Sequence, residues 1–239
     1  MTNSTAATSG LAEQVGSVVR SVEEIETYLA DVVHAVQAVT PGCDAVGVTV
    51  VRGGRPFTAA YTTARTLRID AIQYALGEGP CLEAHSTCSL VEADLDEGMD
   101  RWPRFTDAAK DFEMRAMIAL PLIARDESVG ALNLYAHGTE ALAAADRSDL
   151  SRAAARIGEV VGAGLAVIEA RELAGQLEEA MASRAVIEQA KGIIMGQHGL
   201  TETDAFDLMR QQSQRTNIKL RALAAQIVSG VTGVAAAVD

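Results

Sequence analysis

The sequence predicts an α+β fold in two parts: an antiparallel sheet covered by helices, then an all-α bundle of three helices, joined by a long shared helix. Three observations carry this. All five prolines lie between Pro41 and Pro121, dividing the 239 residues into a helical start, a turn-rich middle and a proline-free end. The middle holds short β-branched runs separated by Gly, Pro and polar turns. From Asp146 onward apolar residues recur at helical spacing.

The elements follow in order. Residues 1–10, "MTNSTAATSG", form a flexible start with no basic residue and no continuous apolar core after it, so neither a signal peptide nor a membrane anchor is expected. Apolar residues at Leu11, Val15, Val18, Val22, Ile25, Leu29, Val32, Val36 and Val39 alternate steps of four and three, a helix with a coiled-coil-like seam ended by Thr40-Pro41-Gly42. That seam packs either on a sheet or against its twin in a dimer. "AVGVTVV" (Ala45 to Val51) and "FTAAYTT" make a hairpin around Gly53-Gly54. A short helix at "IDAIQY" leads into "GEGPC", then a strand in "CSLVEAD". "RWPRFTDAAKDF" is a helix entered through Pro103, and "MRAMIALPLIARDESVGALNLYA" is two strands joined at Arg125 to Ser128.

No proline interrupts Asp146 to Met195. As one helix these residues would extend about 75 Å, too long for one small domain to bury. They read as the last helix of a first domain running, with a break near Gly175, into the first helix of a second. Gly199 suits a C-terminal cap. "TETD" supplies an N-cap with an acid three residues later, for a helix burying Ala205, Leu208, Met209 and Gln212. Thr216 or Asn217 caps a third helix with Leu220, Leu223, Ala224 and Ile227 inside. The expected division is residues 11–168, a linking helix or coiled coil at 169–182, and a C-terminal domain at 183–239.

Charge is uneven along the chain. The net charge of −12 argues against nucleic acid, but residues 1–180 carry 14 Lys/Arg against 27 Asp/Glu while 181–239 carry 6 against 5. Between Arg210 and Arg221 four cations occur with no acid. Such an end would hold nucleic acid on one surface while the body repels it. The longest apolar-or-Gly run, "VVGAGLAVI", is nine residues, far short of the roughly 20 that span a bilayer. The chain is expected to be cytoplasmic. Cys43, Cys81 and Cys88 offer neither a disulfide framework nor metal-ligand spacing, so no metal is expected.

"SRAVIEQAKGIIMGQHGLTETDAFDLMRQQSQRTNIKLRALAAQIV" (Ser183 to Val228) resembles an ANTAR domain, the three-helix RNA-binding module of transcription antitermination regulators. The Ile-Glu-Gln-Ala-Lys-Gly core and the Ala-Phe-x-Leu-Met and Asn-x-Lys-Leu segments carry the resemblance. "GEGPCLEA", "RWPRF" and "ALPLIARDESVGALNLYA", within Val22 to Ile168, resemble the GAF sensor domain found upstream of ANTAR in actinobacterial proteins. The resemblance implies a homodimer that binds paired hairpins in a leader transcript and blocks terminator formation. Hairpin loops expose unstacked bases, where RNA sequence is read.

Arg184, Glu188 and Lys191 fall on one helical face. Gly192 beside Lys191 either admits a phosphate or base to the backbone or permits a tight helix–helix contact, at a cost of roughly 1 kcal/mol relative to alanine. Lys191 itself is either an RNA contact or a solvated cation. Arg210, Arg215, Asn217, Lys219 and Arg221 are candidates for phosphate contacts, with Asn217 also able to pair with a base edge; Arg215 and Arg221 equally fit a purely solubilising role.

The first domain is expected to sense a small molecule or a redox cue, its cofactor unassigned. Tyr74, Cys81, His85, Trp102 and Phe105 are the ligand-pocket candidates, with core packing the commoner fate of such aromatics. Cys81, after Pro80 at a helix start, is a candidate redox thiol if partly exposed with a lowered pKa. His85 with Cys81 or Cys88 is a weaker metal or haem candidate. No nucleophile with a positioned base and no supported carboxylate pair appears, so catalysis is not expected. The alternative function is a DNA-binding regulator using the last two helices as a helix-turn-helix, against which the third helix is short. A phosphorelay receiver is excluded by its lysine pattern: Lys110, Lys191 and Lys219 are the only lysines, and none follows a strand in the required order.

Overall fold

The computed structural model describes residues 22–95 and 100–232. The chain forms two compact units that divide between Ile168 and Glu169. The expected flexible residues 1–10 and the start of the first seam, Leu11, Val15 and Val18, lie outside the described residues.

The N-terminal unit is built on five strands: β1 (Ala45–Arg52), β2 (Arg55–Tyr61), β3 (Val91–Asp94), β4 (Ala116–Ala124) and β5 (Glu127–Ala136). Their order is β2-β1-β5-β4-β3 and every neighbouring pair is antiparallel. The two hairpins turn where expected. Gly53 and Gly54 have φ of 57° and 74°, and Arg125 and Asp126 take 51° and 67°. Two positive-φ residues in a two-residue loop match the strand twist.

One sheet face is covered by α1 (Val22–Val39) and the first part of the long helix α5 (Arg147–His198). Leu29, Val33 and Val36 of α1 and Leu150, Ala154, Ile157 and Val161 of α5 pack on Val46, Val48, Leu120, Leu132 and Leu134. The α1 seam is therefore used on the sheet. It stops one seam residue early, because Val39 is 78% exposed where the chain turns away.

The opposite face carries α2 (Ala64–Leu76), α3 (Pro80–Thr87), α4 (Pro103–Ala109) and a 3-10 turn at Lys110–Phe112. Ile69, Cys81, Trp102, Phe105, Met114, Met117 and Tyr135 form its core. α2 begins at Thr63, whose hydroxyl accepts from the Thr66 N–H, and ends at Gly77 in the left-handed conformation.

α5 runs from Arg147 to His198 with no break at Gly175. Its end combines with α6 (Glu202–Thr216) and α7 (Leu220–Thr232) in the C-terminal unit. The core there is small: Ala190, Ile194, Ala205, Met209 and Ala224, flanked by Val186, Ile187, Leu220 and Ile227. Leu208, expected inside, is 45% exposed. Gly199 caps α5 with φ 67° and its N–H on the Met195 carbonyl. Thr201 caps α6 by accepting from the Asp204 N–H. Asn217 is not the cap of the third helix. It closes α6 in the left-handed conformation, and the N–H of Ile218 reaches the Ser213 carbonyl at 3.2 Å, the pattern that ends a helix.

Candidate nucleic-acid interface and sensor core

The N-terminal unit hides a polar network on the α2 side of its sheet. Strand alternation points Thr49 of β1 and Asn133 and Tyr135 of β5 to that face. α2 answers with Asp70, Gln73 and Tyr74, at steps of three and one, on its inner side. Asn133 Nδ2 donates to Thr49 Oγ1 at 3.0 Å and to Asp70 Oδ1 at 3.3 Å. Thr58 Oγ1 donates to Asp70 Oδ2 at 3.1 Å, and the Tyr135 hydroxyl donates to Asp70 Oδ1. The Tyr74 hydroxyl lies 2.7 Å from Thr49 Oγ1 and 3.0 Å from Thr58 Oγ1. Among the described residues Asn133 Oδ1 is the buried side-chain oxygen without a partner.

Asp70 is fully buried, and its partners Thr58, Asn133 and Tyr135 are all neutral. Burial pushes its carboxyl up to about 7, against the hydrogen bonds from Tyr135, Thr58 and Asn133, which favour the anion.

Cys81 belongs to this network, and its expected exposure is corrected. The residue is 0% exposed and its Sγ donates to Thr49 Oγ1 at 3.2 Å. Burial and the neighbouring Asp70 push the thiol up to about 12, opposite to what a redox-reactive thiolate needs. The helix start after Pro80 does not lower it, because desolvation is the larger effect.

The two "GEGPC" and "RWPRF" segments are bound together. The Glu78 carboxylate accepts the backbone N–H groups of Arg104 at 2.6 Å and Phe105 at 2.9 Å, capping α4 from outside its own chain segment. Trp102 Nε1 donates to Glu83 at 3.0 Å, beneath the Arg101 guanidinium. Gly79 has φ 138°, and a Cβ there would meet Gln73 Oε1 at 2.4 Å. That amide oxygen accepts the Cys81 N–H at 2.9 Å while its nitrogen donates to Tyr135 at 3.3 Å.

The other pocket candidates divide. Phe105 and Trp102 are core residues, 0% and 4% exposed. Tyr74 is half-buried in the network. His85 is half-buried with Nδ1 2.8 Å from Ser128 Oγ, and burial lowers its pKa. Ser128 Oγ donates its proton to the Gly130 carbonyl, so the pair is not an activated nucleophile. Two clefts of about 250 and 270 Å³ lie elsewhere, one around Glu92, Met117 and Arg147, the other around Ile25, Phe57 and Leu165. Neither is lined by the five candidates. Among the described residues no group of three His, Cys, Asp or Glu side chains is arranged for a metal ion. Sequence reasoning missed Asp70, Thr49, Gln73, Asn133 and Tyr135. The available signal was a Thr and an Asn interrupting otherwise apolar strands.

In the C-terminal unit the eight expected RNA-contact residues are not equivalent. Lys191 is not a solvated cation: its side chain is 9% exposed, with Nζ 2.5 Å from Glu188 and 2.7 Å from Glu202. The reason is that the first turn of α6 brings Glu202 across the last turns of α5. Gly192 is exposed, and a Cβ built on it meets nothing within 4 Å, so it serves no contact among the described residues of the chain. Arg184, Arg210, Arg215, Asn217, Lys219 and Arg221 are exposed. Arg210 pairs with Asp207 at 3.2 Å, Arg215 donates to Gln212 at 2.7 Å and Arg221 to Glu179 at 2.6 Å. Every residue from Glu169 to Ala182 is exposed, including Leu173, Leu177 and Met181.

Comparison with known proteins agrees with this division. A family model described as a GAF domain matches residues 22–161, and one described as an ANTAR domain matches 175–228, beginning inside the stretch assigned to the linking helix. A GAF domain of an Acinetobacter phosphoenolpyruvate-protein phosphotransferase is 15% identical over 71% of this chain and 99% of its own, with a TM-score of 0.49. A type II free methionine-R-sulfoxide reductase from Thermoplasma acidophilum is 18% identical over 59% of this chain and 93% of its own, with a TM-score of 0.47. A GAF domain region of a Geobacter sulfurreducens membrane protein is 12% identical over 58% and 93%, with a TM-score of 0.45. The search of curated proteins gave no match.

Proposed function

From a chain that belongs to the GAF domain family and carries an ANTAR domain after it, we propose a transcription antiterminator whose C-terminal unit binds paired RNA hairpins in leader transcripts and so keeps a terminator from forming. GAF followed by ANTAR is the architecture of a signal-responsive regulator of transcription. The chain acts in the cytoplasm and is not an enzyme. The GAF domain occupies residues 11–168 and receives a small-molecule cue, and residues 183–239 bind RNA.

The observation that carries the reading is the ANTAR match on a bundle whose Arg210 to Arg221 segment has four cations and no acid. Cations on one surface position an RNA backbone, and amides such as Asn217 reach base edges. Arg184 and Lys219, exposed and without an ion pair among the described residues, are the readiest phosphate contacts, joined by Arg210, Arg215 and Arg221 when they exchange their surface partners for phosphate. Lys191, held by Glu188 and Glu202, and the exposed Gly192 complete the candidate contacts.

The same reading includes a homodimer through residues 169–182. The support is the exposed Leu173, Leu177 and Met181, spaced by four on a helix stretch with no buried residue. An apolar stripe in water is stabilised by a matching helix. Gel shifts comparing two-hairpin RNAs with duplex DNA, run beside a readthrough assay, test the function. Tight binding to duplex DNA and none to hairpins would overturn it in favour of a helix-turn-helix regulator.

A further inference from the structure

Phe206 is the only aromatic residue between Glu169 and Asp239, and it is not in the core. A core of Ala190, Ile194, Ala205, Met209 and Ala224 is too small in its cross-section to need a phenyl ring, and Phe206 stands 38% exposed on α6. Burying a Phe side chain removes roughly 150 Å² or more from water, and Phe206 keeps 38% of its surface accessible, where a flat partner can lie on it.

The surroundings of the ring identify the partner. Glu202, Phe206 and Arg210 follow one another at steps of four along one face of α6. At one end the Glu202 carboxylate is paired with Lys191 Nζ at 2.7 Å, an ammonium it shares with Glu188 at 2.5 Å, so its charge is partly offset and the phosphate is received at the other end. At the other end Arg210 is held by an exposed pair with Asp207, 3.2 Å long, which a phosphate can replace at little cost. Asn217 closes the same face at the end of the helix, exposed and held in the left-handed conformation. A flat apolar ring between a lysine-paired acid and an exchangeable guanidinium, with an amide beyond, fits one unpaired nucleotide: base on the ring, phosphate on the arginine at the far end from the acid.

Resting on the RNA-binding reading above, we propose that Phe206 is the stacking platform for an unpaired base of the hairpin loop, with Arg210 taking the adjoining phosphate. Stacking depends on a π-face, so Phe206→Leu removes it while keeping an apolar side chain, and Phe206→Tyr keeps it.

The test uses the full-length protein and a hairpin RNA library with randomised loops. The hairpin that the wild type enriches is resynthesised with 2-aminopurine at each loop position. The expected result is quenching of one loop position by wild type and Phe206→Tyr. Phe206→Leu should lose that quenching and bind roughly ten- to a hundred-fold more weakly with an unchanged melting temperature. Equal affinity and quenching in Phe206→Leu would overturn the stacking role alone. A changed oligomeric state in Phe206→Leu with unchanged RNA affinity would assign the ring to a protein interface and also overturn it. If the wild type enriches no hairpin, the RNA-binding reading fails and the stacking role with it.

Discussion

Glu202 Oε1 stands 2.7 Å from Lys191 Nζ, and Glu188 reaches the same ammonium from one turn back on α5. The two carboxylates hold the lysine's pKa above its ordinary value, and Lys191 holds Glu202 below its own. The triad ties the end of α5 to the start of α6.

Charge reversal at Lys191 is therefore expected to do more than remove a cation. Lys191→Glu places three carboxylates together and should lower the melting temperature of the C-terminal unit. The swap Lys191→Glu with Glu202→Lys should restore most of it. Circular dichroism melts of the two variants and the wild type check this; an unchanged melt in Lys191→Glu would show that the clamp contributes nothing.

Gly192→Ala should make the helix more stable. The added methyl meets nothing within 4 Å, and alanine is favoured over glycine in a helix interior by up to about 1 kcal/mol. Hairpin affinity measured on the same variant should fall if the bare backbone is an RNA approach. Urea titrations and gel shifts separate the two effects.

Asp70 should give the N-terminal unit a pH signature. The unfolded side chain ionises near the ordinary carboxyl value of 3.8, while the folded one is pushed up to about 7. Between those values the folded chain holds a proton that the unfolded chain has released. The stabilisation is complete below the lower value and is lost as pH rises to the upper, by at most about 1.4 kcal/mol per pH unit. Asp70→Asn should abolish that slope. Urea midpoints at pH 5, 6, 7 and 8 measure it, and an identical slope in the variant would remove Asp70 as its source.

Gly79→Ala should be among the most damaging substitutions in the N-terminal unit. It imposes a φ of 138° on an L-residue and drives the Gln73 amide off the Cys81 N–H and Tyr135 hydroxyl. Strain and lost buried hydrogen bonds together predict a loss of about 2 to 4 kcal/mol. Denaturant unfolding followed by Trp102 fluorescence reads it directly.

The three thiols should separate under a thiol reagent in the native state. Cys88 is exposed, Cys81 is buried, and Cys43 is partly buried with burial pushing its pKa to about 11. One fast-reacting thiol is expected, and Cys88→Ser should remove that phase.

Much of the fold was legible because its signals are local. The four-three spacing of Ile25, Leu29, Val32 and Val36, the Gly53-Gly54 turn and the Thr201 cap each lie within one element. The Asp70 network was not legible, since Thr49, Asp70 and Asn133 are separated by more than 60 residues from their key partners in the case of Asn133 and meet only once the strand register is set. Lys191 shows the same limit at shorter range. Its spacing from Glu188 is legible within α5, but the second acid that covers it, Glu202, belongs to α6. Asn217 was assigned to the wrong helix because an asparagine that starts one helix and one that ends another look alike in a sequence.

The strand order also bears on aggregation. An open sheet offers two unpaired margins, and exposed margins recruit strands from other molecules. Here the outer strands are β2 and β3. β2 begins with Arg55 and Pro56, the former opposite Arg52 of β1, and β3 is four residues long with Glu92 and Asp94 on it. A proline, a charge cluster and a short margin each discourage fibril-like stacking. Concentrated solutions of the protein should accordingly resist thioflavin-positive assembly, and self-association should proceed through helical surfaces.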